Sequence, residues 1–163
     1  MQLEADQVIM DDAKQISTFT GKVRLSQGTL LIKGEKIIVV QDKDGSKHAT
    51  AYGDPAEFRK KREGMDEYVE GYGERIEYDA RTEMLYFHEK ARLKRNLDEV
   101  NGNEITYSAK TEIFQVNSSA ANSKNSTRQR VRVVLQPKPK NTATPVAPGT
   151  SINSPRTAPA PAN

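Results

Sequence analysis

The stretch Gly73-Glu74-Arg75-Ile76-Glu77-Tyr78-Asp79 decides the fold, because variants of it recur along the chain. GEKIIVV (residues 34–40) lies 39 residues upstream, and GNEITYS (residues 102–108) lies 29 residues downstream. A weaker copy, ADQVIMD (residues 5–11), opens the chain. Each copy has a small residue, two polar residues and then apolar residues at alternate positions. The pattern predicts a tight turn that leads into a strand with two different faces.

A second repeated segment fixes the length of the unit. Lys22-Val23-Arg24-Leu25 precedes Gly34 by the same spacing as Lys90-Ala91-Arg92-Leu93 precedes Gly102. The unit is therefore strand, kink, strand and turn, about 30 residues long and used about four times. No window shows apolar residues at helical spacing, and the β-branched and aromatic residues stand in short runs. We predict an all-β body of about 14 to 16 short antiparallel strands.

One strand pair is interrupted and followed by a basic cluster. Pro55 lies within Gly53-Asp54-Pro55, and because proline cannot donate to a sheet ladder it predicts a bulge or an edge. Residues 59–66 are predicted as a charged loop. Its basic cluster, Arg59-Lys60-Lys61-Arg62, has two interpretations. It is a solvated hairpin tip, or it attracts phosphate groups at a lipid surface.

The charge is divided unevenly along the 163 residues. Residues 117–163 hold seven of the eight prolines, seven basic side chains and no acidic one. Residues 1–116 hold 18 basic and 22 acidic side chains, a net charge of −4. The basic character therefore comes from the tail and does not indicate a body that binds nucleic acid. We predict a β domain over residues 1–136 and a disordered, Pro-rich basic tail over residues 137–163.

The sequence offers no set of residues for catalysis. It has no cysteine, which excludes a disulfide scaffold, a thiolate metal site and a cysteine nucleophile. His48 and His88 lie in different repeats, and Gly71-Tyr72-Gly73 lacks the third glycine of a dinucleotide loop. We therefore expect no enzyme activity, no metal and no cofactor. No apolar run reaches 18 residues, and no signal-peptide pattern precedes the first repeat, so the protein is either cytosolic or a mature exported form.

The alternating apolar residues are the main candidates for function. They form six pairs, and the two residues of each pair should lie on the same face of a strand. An ordinary sandwich core is one interpretation of such a face, and a groove for an apolar ligand is the other, since several of the residues are small. The pairs are Val23/Leu25, Ile37/Val39, Ala56/Phe58, Ile76/Tyr78, Ala91/Leu93 and Ile105/Tyr107.

Several of these segments together resemble a known family. They are TFTGKVRLSQGT (residues 18–29), YGDPAEF (residues 52–58), VEG (residues 69–71) and ITY (residues 105–107). RVRVVL (residues 130–135) resembles the closing strand of the same family. The family is that of OstA-like periplasmic lipopolysaccharide-transport proteins, and the resemblance covers roughly residues 3–116. The missing signal sequence departs from the family pattern and fits a mature form.

The resemblance implies an open, twisted β-jellyroll of about 16 antiparallel strands. It implies a non-enzymatic carrier in the periplasm that binds lipopolysaccharide in an apolar interior and stacks head to tail. Such a stack links an inner-membrane extraction complex to an outer-membrane translocon. The alternatives are a structural adaptor of the cell envelope without lipid binding and the soluble domain of an outer-membrane translocon.

The resemblance also assigns residues to these roles. Phe58 and Tyr78 match lipid-facing aromatic residues of the family. Leu3 in the first strand, and Val131 and Val133 in the last, are the expected docking edges. Plain core packing is the alternative for each lipid-facing residue. The inward parity adds further lipid-facing candidates: Val23, Leu25, Ile37, Val39, Ile76, Leu93 and Tyr107.

Overall fold

The computed structural model describes residues 1–117 and 131–135, and the regular structure in this part of the chain is entirely β. It contains no helix long and apolar enough to cross a membrane within those residues. The ten strands are β1 (Gln2–Glu4), β2 (Gln7–Asp11), β3 (Ile16–Gln27), β4 (Leu30–Gln41), β5 (Lys47–Lys61), β6 (Tyr68–Asp79), β7 (Met84–Arg95), β8 (Asp98–Ser108), β9 (Phe114–Asn117) and β10 (Arg132–Val134).

The six long strands, β3 to β8, pair in sequence order and always antiparallel, and a row of bends divides each of them into two arms. The pairing register shifts once in each long pair, for example between Thr20 and Val23 and between Tyr72 and Arg75. One set of arms, continued by β2 and β9, forms what we name sheet I. The other set, continued by β1 and β10, forms sheet II.

Each sheet therefore has eight segments. Among the described residues, six long strands with two arms each and four short strands make sixteen segments, within the predicted range of about 14 to 16. Bending one antiparallel sheet along a row of bulges brings its two halves face to face, with the remaining edges open. The predicted all-β, open jellyroll is confirmed.

Glycine stands at the bends of β4 and β6, where neighbouring backbones come too close for a side chain. A Cβ at Gly34 would lie 2.7 Å from the carbonyl oxygen of Tyr52, and a Cβ at Gly73 would lie 3.1 Å from that of His88. The repeated motif is thus a bend inside a continuous strand, and the prediction of a tight turn ahead of a strand is wrong on this point. The kink within the unit, including the predicted irregularity at Pro55, is confirmed.

Two predicted boundaries differ from the structure. Residues 59–61 belong to β5 instead of the charged loop, because Lys60 and Lys61 pair with Val69 and Tyr68 of β6. The apolar pattern from Leu3 to Met10 predicts one strand, but these residues belong to two strands, β1 and β2, which pair with opposite arms of β3. The predicted last strand is β10, paired with β8. The tail over residues 137–163 lies outside the described residues, so its division from the domain stays a prediction.

Candidate functional site

The inner faces of the two sheets enclose one apolar interior. All nine residues that the resemblance assigns to lipid contact lie on these faces and are buried. Among the described residues, no polar or charged side chain is buried with them. The alternation of apolar and polar residues thus identifies the residues of the inner face correctly. Their contact with lipid stays a prediction. The residues are Phe58, Val23, Leu25 and Leu93 of sheet II, and Tyr78, Ile76, Ile37, Val39 and Tyr107 of sheet I.

Three aromatic rings join the two sheets. Phe58 of sheet II contacts Phe87 and Tyr107 of sheet I, with ring centroids 5.7 and 5.8 Å apart. Gly71 of sheet II leaves room for the Phe87 ring, because a Cβ there would lie 2.5 Å from Cζ of that ring. Burial raises the pKa of the Tyr107 phenol to about 12. The interior is therefore filled with side chains at this level of the jellyroll.

Phe87 belongs to this cluster, although it is not among the inward-facing residues predicted from the sequence. Leu85 and Phe87 alternate in the same way as the six pairs identified there, and both are completely buried. The bend of β7 lies at Glu89 and Lys90, which both have positive φ. After this bend the side chain of Ala91 again points to the interior. The alternation of Leu85 and Phe87 was the signal that could have identified Phe87.

Small side chains line the middle of sheet I. Ala51 lies between Ile37 and Ile76 in the cross-strand register, and Ala49 lies between Val39 and Tyr78. A row of alanines between larger residues forms a shallow strip along the inner face of β5. Burial raises the pKa of the Tyr78 phenol at the side of this strip. The strip and the aromatic cluster occupy neighbouring parts of one continuous apolar surface.

The inner face is left uncovered at the N-terminal end of the jellyroll. Val8 and Met10 of β2 point to the inner side beside Phe19 and Ser17, yet they are 44% and 66% exposed. Leu3 of β1 is half-buried against the same core. A cavity of about 250 Å³ opens here, and its walls include Leu3, Met10 and Phe19.

The opposite end of the jellyroll repeats this arrangement. Phe114 and Val116 of β9 pack on the edge of the core. Val133 of β10 pairs with the buried Val100 and is 49% exposed, and Val131 is also exposed. The end strands β1, β2, β9 and β10 each pair with one strand among the described residues, so the outer side of each has no partner strand within them. Leu3, Val131 and Val133 therefore lie at the two open ends, and docking through them stays a prediction.

The described residues hold no group of three His, Asp or Glu side chains arranged for a metal ion. Nε2 of His48 lies 2.8 Å from Oδ2 of the turn residue Asp42. His88 lies on the outer face of sheet I, 3.5 Å from Glu77. Both histidines thus have local carboxylate neighbours away from the interior.

A comparison with protein families identifies the fold and its relatives. A family model described as "LptA/(LptD N-terminal domain) LPS transport protein" matches residues 2–113, more than half of the chain. The protein belongs to this family. The matched range begins within β1 and ends just before β9, so it covers most of both sheets.

Named relatives share the family. The chain is 29% identical over 136 residues to lipopolysaccharide export system protein LptA of Haemophilus influenzae, covering 82% of this chain and 74% of that one. It is 29% identical over 137 residues to LptA of Escherichia coli K12, and the match covers 83% of this chain and 70% of that one. LptH of Pseudomonas aeruginosa is 25% identical over 141 residues, covering 86% and 81%.

A solved structure has the same architecture. The crystal structure of LptH from Pseudomonas aeruginosa, described as the LptA-homologous periplasmic component of the lipopolysaccharide transport device, superposes with a TM-score of 0.76. The superposition covers 83% of this chain and 94% of that chain, at 24% identity. At 24% identity, this similarity shows that the chain has the same jellyroll fold.

Proposed function

We propose that this protein carries lipopolysaccharide across the periplasm without chemical change, holding the acyl chains between its two sheets. One observation carries the proposal. The inner face is apolar from the first strand to the last, and it stays exposed at both ends of the jellyroll, at Met10 and at Val133. A protein that needed the same residues only as its own core would gain by covering them.

The physical need for such a carrier follows from the cost of exposing acyl chains. Moving a chain of about twelve carbons into water costs roughly 9 kcal/mol, at about 0.8 kcal/mol for each CH₂ group. An apolar path that continues from one protein to the next removes most of this cost. The process makes and breaks no covalent bond, so the protein acts as a binding module in place of an enzyme.

The open ends supply a way to lengthen the path. Within the part of the chain that the structure describes, the outer sides of β1, β2, β9 and β10 have no partner strand, so their backbone groups can accept strand addition by another jellyroll. Joining the N-terminal end of one copy to the C-terminal end of the next is a head-to-tail contact, which builds open filaments. Leu3, Val131 and Val133 would lie at these joints. The inner-membrane extraction complex and the outer-membrane translocon would use the same joints at the two ends of a periplasmic bridge.

Depleting the protein from its host cell tests the transport role. Newly made lipopolysaccharide, followed by a pulse of radioactive label and membrane fractionation, is expected to accumulate at the inner membrane. Re-expression from a plasmid serves as the control and restores delivery to the outer membrane. Normal delivery during full depletion contradicts the proposal.

A structural adaptor is the second candidate function, and the aromatic cluster is the observation that favours it. Phe58, Phe87 and Tyr107 fill the interior at one level, as a purely structural core requires. The two functions differ in their effect on purified lipopolysaccharide. A carrier binds it in solution with measurable affinity, whereas an adaptor stays free of it at every concentration.

A further inference from the structure

The side of the jellyroll opposite the bends is a seam between two rows of hairpin tips. The tips of sheet I, which we name lip I, include the turns at residues 42–46, 80–83 and 109–113. The tips of sheet II, which we name lip II, include the turns at residues 28–29, 62–67 and 96–97. The bends keep the two sheets continuous on one side, so separation of the sheets is possible only at this seam.

Two basic residues, Arg62 of lip II and Lys60 near the end of β5, bridge the seam to lip I. Arg62 donates from Nε and Nη2 to Oε2 of Glu112, at 2.9 and 2.8 Å. Its third nitrogen, Nη1, donates to Glu67 of its own lip at 2.7 Å. Lys60 donates from Nζ to the carbonyl oxygen of Ala109 at 2.6 Å, with a carboxylate of Glu83 at 3.9 Å. We name the contact between Arg62 and Glu112 the clasp.

The clasp lies directly above the aromatic cluster. Lys60 and Arg62 follow Phe58 at alternate positions, so they continue its inward direction where the apolar core ends. The Arg62 side chain is 18% exposed. Donation from Arg62 lowers the pKa of the Glu112 carboxyl below its ordinary value, and the same hydrogen bond raises the pKa of Arg62. A guanidinium that is largely shielded and bonded to two carboxylates makes stronger contacts than an ordinary surface pair.

A wide cavity adjoins the clasp. It has a volume of about 690 Å³, and its walls come from both lips, including Thr29, Lys60, Glu83 and Lys110. Its lining is charged where the interior below is apolar. The seam therefore offers a polar group room at the surface, directly beside the apolar core.

We propose that Arg62 is a gating residue, and that the clasp must part before an acyl chain can pass between the lips. The inference rests on the proposed function. Consider an amphiphile with its acyl chains between the sheets and its head group in water. The part that links the chains to the head group must then lie in the seam. A hydrogen-bonded pair that crosses the seam blocks that position. Opening the clasp costs less free energy than it would if Arg62 had no second partner. The hydrogen bond to Glu67 keeps the guanidinium charge paired after Glu112 has moved away.

A cleavable crosslink tests the gate, and the chain helps because it has no cysteine of its own. Arg62→Cys with Glu112→Cys, joined by a cleavable bismaleimide long enough to replace the two side chains, locks the lips together. Arg62→Cys with Glu67→Cys, joined by the same reagent, is the matched control, because it loses the same arginine but bridges only within lip II. We expect the association rate of purified lipopolysaccharide to fall at least about tenfold in the locked protein and to recover when the reagent is cleaved. Equal rates in the two crosslinked proteins overturn the proposal.

A distance measurement tests the clasp independently of the proposed function. Spin labels on Glu63→Cys of lip II and Lys110→Cys of lip I, both exposed positions, report the width of the seam. Glu112→Ala is expected to lengthen and broaden the measured distance, whereas Glu67→Ala, which leaves the clasp intact, should change it little. An unchanged distance in Glu112→Ala overturns the gate even if the protein binds lipopolysaccharide. A widened seam in a protein that never binds lipopolysaccharide contradicts the proposed function and leaves the clasp confirmed.

Discussion

Replacing Gly71 with alanine tests how tightly the two sheets pack around the aromatic cluster. The added Cβ would lie 2.5 Å from Cζ of Phe87 and also against Cε1 of that ring, with Cδ1 of Phe58 at 3.3 Å. Real carbon atoms at such positions stand more than 3 Å apart, so the Phe87 ring must move. Because Phe87 is completely buried between Phe58 and the backbone of β6, it has little room to do so.

The expected cost is that of an overpacked core, about 1 to 3 kcal/mol of unfolding free energy. At roughly 4 °C for each kcal/mol in a body of this size, Gly71→Ala lowers Tm by roughly 4 to 12 °C. Differential scanning calorimetry and urea denaturation measure the change. Both use the full chain at one protein concentration, because assembly would stabilise the folded state.

Phe87→Leu provides the decisive comparison, because it removes the ring atoms that the new methyl group meets. The double variant Gly71→Ala/Phe87→Leu should be more stable than the sum of the two single effects predicts, by about 0.5 to 3 kcal/mol. A strictly additive double variant, or a Gly71→Ala protein with an unchanged Tm, would refute the contact between the sheets at this level.

Three further predictions follow from charge and exposure. The raised folded pKa of Tyr107 means that its stabilising contribution is present below about pH 10 and lost as the pH rises to about 12. Urea denaturation of Tyr107→Phe should therefore show a shallower loss of stability over this range, and an equally steep loss contradicts it. Because the folded pKa of Glu112 is lowered, its contribution to stability is lost as the pH falls below about 4. The free energy of unfolding of Glu112→Gln should therefore fall less steeply with acid than that of the unchanged protein. An equally steep fall would contradict the clasp. Met10→Lys should prevent concentration-dependent growth in light scattering with little change in Tm, and Ile9→Lys, on the outer side of the same strand, is its control. Equal effects of the two lysines would count against end-to-end assembly through the inner face.

The sequence predicts the parts of the fold that depend on local pattern. Alternation identified the inner face at Ile76 and Tyr78, and glycine at Gly34 and Gly73 indicated a change of chain direction, although it forms a bend inside a strand and not the predicted turn. Both signals are local, because side-chain direction in a strand alternates and glycine permits a close approach of neighbouring backbones. The register of β5 beyond Phe58 was not predicted, since charged side chains at Lys60 and Lys61 mask a ladder that depends on the partner strand β6.

The contacts between the two sheets depend on distant parts of the chain and could not be predicted from local pattern. Arg62 and Glu112 are 50 residues apart, and each stands in a segment with the composition of an ordinary surface turn. Only the bending of the sheet brings them together across the seam. The contact of Phe87 with Gly71 has the same origin, because the two residues meet across the interior and belong to different sheets. The sequence-based interpretations of the basic cluster, a solvated tip or a phosphate-attracting patch, both left out this internal role for Arg62.

The opening motif now has a more definite role than a repeated turn. Gly73 permits the bend of β6, and Ile76 and Tyr78 contribute to the inner face of sheet I. Its polar residues form ion pairs with neighbouring side chains. Glu74 pairs with Lys90 across the bend, and Arg75 lies beside Glu77 on the outer face.

Site-specific photo-crosslinking tests the central claim most directly. A photo-reactive phenylalanine analogue at Phe58 and at Tyr78 points into the interior, and the same analogue at Glu57 and at Glu77 points to the outer faces of the same strands. Irradiation in cells that make lipopolysaccharide should give a crosslinked product at Phe58 and Tyr78 that antibodies against lipopolysaccharide detect, and little or none at the two glutamate positions. Crosslinking confined to Glu57 and Glu77 would contradict transport through the interior.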